Sequence, residues 1–130
     1  MLEPHERALS LVGVPFRFQG RDPLIGLDCL GLVLSAFDLI VVEPPTYRVS
    51  DGNWSQVETE LAQWFARGAR TIPKTNDLAV FKLPRCFHFG VISNGFLVHA
   101  DIVAGKVVSR KMPTRLSGDC RLYTHCGEAE

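Results

Sequence analysis

The sequence predicts an α+β domain, with helices in its first half packed on a C-terminal antiparallel sheet. Three observations predict it. Up to residue 68, apolar residues recur at helical spacing or fill one all-round apolar run. From Asp77 onward they fall in short runs rich in Val, Phe, Ile and Leu. Between two of those runs stands Asn94-Gly95, the dipeptide that a two-residue hairpin turn with positive φ at both positions demands.

The elements follow in order. A first helix is predicted over residues 4–11, and Gly13, Pro15, Gly20, Asp22, Pro23 and Gly26 then make a turn-rich stretch. A second helix is predicted over 29–41, ended by Glu43-Pro44-Pro45. Its apolar residues lie on every side, which marks a buried helix. Trp54, Val57, Leu61, Trp64 and Phe65 place a third helix, with Asn53 and Gln56 as its capping pair and Gly68 as its stop. Strands are predicted over 78–83, 87–93, 96–100, 106–109 and 121–125.

At 130 residues the chain is one domain, with no repeat, low-complexity tract or linker. With 46% hydrophobic and 22% charged residues it is neither disordered nor fibrous. A net charge of zero argues against a nucleic-acid partner and against a polybasic membrane-surface protein. The longest apolar run, residues 27–42, contains Asp28 and Asp38 and falls short of the about 20 residues a spanning helix needs. No membrane insertion is expected. The first residues lack the basic start and apolar stretch of a secretory signal, so synthesis in the cytosol without a signal peptide is expected. Reduced thiols follow from that compartment. Among Cys29, Cys86, Cys120 and Cys126 there is no C-x-x-C pair. Cys120 and Cys126 can join only if the fold brings them together.

Cys29 has the most telling setting. A lone cysteine in an apolar run is ordinarily a small core residue. Here Asp28 is a natural N-cap, so Cys29 opens the helix, where free N–H groups and the macrodipole favour a thiolate. Gly31 leaves space on the same turn. A nucleophilic thiol needs a base, and the hairpin places two histidines. A two-residue loop makes paired positions sum to 189, so His88 and His99 become diagonal neighbours on one face, Cβ atoms about 7–8 Å apart. One ring can then take the thiol proton while the other orients it. Two histidines on a strand pair are equally ordinary as half-exposed surface residues. His5 and His125 have no such company. Cys86-Phe87-His88 and His125-Cys126 match no common zinc spacing, and the Gly-rich phosphate motifs are missing from the sequence. No metal or cofactor is expected.

These pieces resemble the NlpC-type cell-wall peptidases, a papain-like cysteine peptidase family. The matching blocks are Gly13-Val14-Pro15-Phe16-Arg17-Phe18-Gln19-Gly20 and Gly26-Leu27-Asp28-Cys29-Leu30-Gly31-Leu32-Val33. Asn76-Asp77-Leu78-Ala79-Val80-Phe81, His88-Phe89-Gly90-Val91-Ile92 and Leu97-Val98-His99-Ala100 follow in the family's order. The resemblance implies a papain-like fold with Cys29 as nucleophile, His88 as base and His99 as the polar third member. It implies a hydrolase of peptidoglycan stem peptides, often cut between D-glutamate and a diamino acid. Many members carry serine after the cysteine and tyrosine in the Pro-aromatic block, where this chain has Leu30 and Phe16. Those positions, with Asp28, are the implied substrate contacts, and Asp28 is placed to meet an amine. The Asp-Cys-bulky-Gly-Leu block resembles the branch encoded with bacteriophage tail genes. Delivery to the cell wall by a virion tail, or by a secretion system, is the matching expectation, with tail-tip proteins as partners. Two other readings stand beside this one. In the first, a tail-tip assembly protein keeps the fold with a plugged site. In the second, a related papain-like scaffold carries another reaction, an amidase on a different bond or acyl transfer to lipid, for which Leu24, Ile25, Leu27 and Leu30 supply an apolar entry.

Overall fold

The computed structural model describes residues 2–39, 53–68, 70–84, 86–113 and 118–126. It contains helices α1 (Pro4–Ser10), α2 (Cys29–Ala36) and α3 (Trp54–Leu61). The strands are β1 (Arg21–Asp22), β2 (Gly26–Leu27), β3 (Phe65–Arg67), β4 (Leu78–Lys82), β5 (Phe87–Ser93), β6 (Phe96–Asp101), β7 (Lys106–Lys111) and β8 (Cys120–His125). β1 and β2 form a small hairpin, and the other six make one antiparallel sheet in the order β3-β8-β4-β5-β6-β7. The α+β class is as expected. Among the described residues no helix is long and apolar enough to cross a membrane.

Local chemistry explains the helices. Pro4 opens α1, and the Glu3 N–H donates to Glu6 Oε1 at 2.8 Å. In α2 the Asp28 carboxylate accepts from Gly31 N at 2.8 Å. That helix ends at Ala36 rather than running on to residue 41, because Asp38 turns to φ 54°. Residues 40 and 41 lie outside the described residues. Arg7 Nε caps its exit, donating to Ala36 O at 2.6 Å. In α3, Asn53 and Gln56 exchange two bonds of 2.9 Å, the expected capping box.

The third helix is shorter than its periodicity predicts. It stops at Leu61, and Phe65 belongs to β3, opposite His125 of β8. Gly68 ends that strand, donating to Leu122 O at 3.1 Å, instead of ending a helix. The apolar spacing was real, since Val57, Leu61 and Phe65 are all buried. It did not reveal that β8 would offer Phe65 strand pairing.

The Asn94-Gly95 turn forms as expected, with φ 49° and 84° and Ser93 opposite Phe96. The ladder between β5 and β6 then ends at Val91 opposite Val98, short of the Gly90–His99 pair that the register implies. The turn-rich stretch is stitched to this end of the sheet. Gly13 N donates to Val107 O at 2.9 Å, Phe16 N to Gly105 O at 2.8 Å and Leu27 N to Pro15 O at 3.0 Å. These bonds seat the start of α2 over the sheet.

The main core lies between helices and sheet, where Leu32, Val33 and Ala36 of α2 meet Phe87, Phe89, Val91 and Val98. A smaller cluster, Ala79, Ile92, Leu97, Met112 and Leu122, covers the other face. Asp77 is buried and held by two 2.8 Å bonds from Arg70, which fixes the entry to β4. All four cysteines are free. Cys120 opens β8 and Cys126 follows its last residue, so about 20 Å of strand separates them. A disulfide needs Cα atoms within about 7 Å.

Candidate active site

Strand alternation decides where the histidines go. Phe87, Phe89 and Val91 of β5 join the core under the helices, so His88 points to the other face. Val98 and Ala100 of β6 do the same, and His99 shares the face of His88. There His88 Nε2 and His99 Nδ1 lie 2.8 Å apart, with the rings perpendicular at a centroid distance of 4.9 Å. The diagonal pairing read from the turn therefore holds. Phe81, opposite His88 on β4, lines the ring at 6.5 Å. Gly90 makes room, since a Cβ there would run into the Leu97 side chain.

Cys29 comes from the helix side. It is half-buried and packs against the main core. The backbone N–H groups of Phe89 and Leu30 lie near its sulfur and favour the thiolate. They are outweighed. Burial first, then the Asp28 charge, push the thiol up to about 12. The expectation of a thiolate stabilised by the helix N-terminus is thereby corrected: Asp28, the residue that caps the helix, places a negative charge beside the sulfur. Among the described residues no hydrogen bond joins Cys29 Sγ to His88 or His99, so the three do not form one bonded chain. Phe89, whose amide meets the sulfur, is the residue after His88. It lies just where the β5–β6 ladder has ended.

Burial and the neighbouring His99 lower His88 from the usual 6.5 to about 4. Burial also lowers His99, against the pull of Asp101. Both rings are neutral at pH 7. The second nitrogen of His88, Nδ1, has no hydrogen-bond partner among the described residues. The resting site thus pairs a neutral thiol with a neutral imidazole that has a free nitrogen.

The lowered His88 has a measurable consequence for stability. Between pH 6.5 and 4 the unfolded chain binds a proton that the folded chain refuses, so stability rises with pH across that window. Acidification from pH 6.5 to 4 is expected to cost on the order of 2 kcal/mol. Urea unfolding at several pH values checks this, and His88→Gln should flatten the dependence. An unchanged slope in that variant would assign the effect elsewhere.

The remaining predicted contacts divide. Phe16 is half-buried against the main core and meets Phe18 edge-on at 5.3 Å. Leu30 also packs against that core. Asp28 is committed to the fold: Oδ1 takes Gly31 N and Arg21 Nη1 at 2.8 and 2.7 Å, and Oδ2 takes Gln19 N at 3.0 Å. An incoming amine would have to compete with Arg21. Arg21 is one residue the sequence reading misses, and nothing in its local pattern marks it. Asp101 is another, but alternation along β6 puts it on the face of His99. Phe18, Leu24 and Ile25 are exposed. Compared with known proteins, the chain matches no family model and no curated sequence.

Proposed function

We propose that the chain is an NlpC-type cysteine endopeptidase that hydrolyses peptidoglycan stem peptides, with a γ-D-glutamyl–diamino acid bond as its target and a phage tail as its carrier. One observation carries the reading: His88 of β5 and His99 of β6 are hydrogen-bonded at 2.8 Å, with His88 Nδ1 unpartnered among the described residues, next to the residue whose amide meets the Cys29 sulfur. That is the geometry of a base and its orienting partner.

The steps follow from the charge states. His88 Nδ1 takes the Cys29 proton as substrate enters, and the sulfur adds to the scissile carbonyl. N–H groups at the start of α2 stabilise the oxyanion. Protonated His88 is a strong acid, because burial disfavours its charge, and it gives the proton to the leaving amine. Water, deprotonated by His88, then cleaves the thioester and frees the acid. The reaction balances without a metal or cofactor.

A second reading draws on the same thiol. With its proton held so firmly and no imidazole bonded to it, Cys29 also suits an assembly protein that keeps the fold with a silent site. Mass spectrometry of peptidoglycan fragments separates the two. The wild-type protein should convert one defined peptide, His88→Ala should be slower by at least about a hundredfold, and His99→Ala by about tenfold. Fragments left intact by a folded wild-type protein would favour the assembly role.

A further inference from the structure

An ion pair closes over the ring on which His88 leans. The β6–β7 register sets Arg110 opposite Leu97, Val108 opposite His99 and Lys106 opposite Asp101. Leu97, His99 and Asp101 share one face of β6. Arg110 and Asp101 thus start about 13 Å apart along the strands. Yet Arg110 Nη2 donates to Asp101 Oδ2 at 2.9 Å. They can meet only along the row that passes His99 and Val108. This places the pair beside His99, which is 9% exposed although none of the described helices covers its face.

His99 has two nitrogens to place. Nδ1 meets His88 Nε2, and Nε2 is buried with no partner among the described residues. A base at His88 Nδ1 requires the His88 proton on Nε2, given to a bare His99 Nδ1. The His99 proton must then sit on Nε2. The opposite tautomers would put a proton on His88 Nδ1 and disable it. The titratable and charged groups that face His99 are His88 from β5, Asp101 on its own strand, and Arg110 and Lys106 from β7. Asp101 attracts a proton on the ring, and Arg110 opposes a second one.

We propose that the Asp101–Arg110 pair is a positioning device for the two histidines: it holds His99 as a neutral acceptor at Nδ1, which leaves the lone pair of His88 on Nδ1. The proposal rests on the reading of His88 as the base. Its signature is opposed in sign at the two residues. Asp101→Asn removes an anion and lowers the pH at which His99 titrates, while Arg110→Gln removes a cation and raises it.

Nitrogen-15 ring shifts across pH, read without substrate, test the proposal on wild type and both variants. The wild-type spectrum should show an unprotonated Nδ1 at His88, and Asp101→Asn should turn that ring into a tautomer mixture. With a γ-glutamyl peptide as substrate, Asp101→Asn should lower kcat about tenfold at unchanged KM. Arg110→Gln changes an exposed position on the outermost strand, so it carries the titration test even if Asp101→Asn fails to fold. Ring shifts and titrations unchanged in a folded variant would overturn the proposal. Ring shifts that move as expected in a protein without hydrolysis would overturn the peptidase and leave the positioning role standing.

Discussion

Cys29→Ala is expected to abolish hydrolysis of stem peptides, by at least about a thousandfold, with the fold intact. The chain has no second thiol in the same setting. Cys86 precedes β5, Cys120 begins β8 beyond β4, and Cys126 follows β8. Cys29 alone opens the helix that covers β5, with the Phe89 amide at its sulfur. The substitution removes one atom from a half-buried site, so a stability change within about 1 kcal/mol is expected. Product mass and a thermal melt on the same sample decide it. Wild-type turnover by a folded Cys29→Ala protein would end the covalent mechanism, whatever bond is cut.

Gly31→Ala is expected to be the most damaging small change near the site. A Cβ on Gly31 would run into the Gly20 carbonyl oxygen, which is backbone and cannot swing aside. Either α2 lifts or the 13–20 stretch moves, at a cost of about 2–3 kcal/mol, the usual size of overpacking a tight contact. Both movements displace Cys29, because Gly20, Arg21 and Gln19 also bond around Asp28. Activity should therefore fall more than the loss of folded protein explains. A urea melt beside an activity assay checks this, and a fully active, equally stable Gly31→Ala protein would overturn the tight approach of α2 to Gly20.

Histidine placement was legible because a two-residue turn leaves no freedom. Once Asn94-Gly95 set the sum of paired positions, the shared face of His88 and His99 followed from arithmetic, and the structure brings their rings to 2.8 Å. The capping residues Asp28 and Asn53 were legible for a similar reason, since the partner N–H lies three residues away. Phe65 was not legible. Its helical spacing was a local signal, and the strand it joined comes from 60 residues later, where His125 pairs with it. The state of Cys29 was not legible either. The helix N-terminus argued for a thiolate, but burial and the Asp28 charge depend on how the helix is seated.

The sequence by itself determined the α+β class, the hairpin, the caps and the shared face of the two histidines, all of which arise from spacings of a few residues or one tight turn. Only the tertiary structure decided that burial and the Asp28 charge hold the proton on Cys29. It alone committed Asp28 to Arg21 and Gln19, and brought Arg110 along the strands to Asp101 beside His99. Those outcomes depend on packing and on charges separated along the chain, whose energies exist only once the distances between them are set.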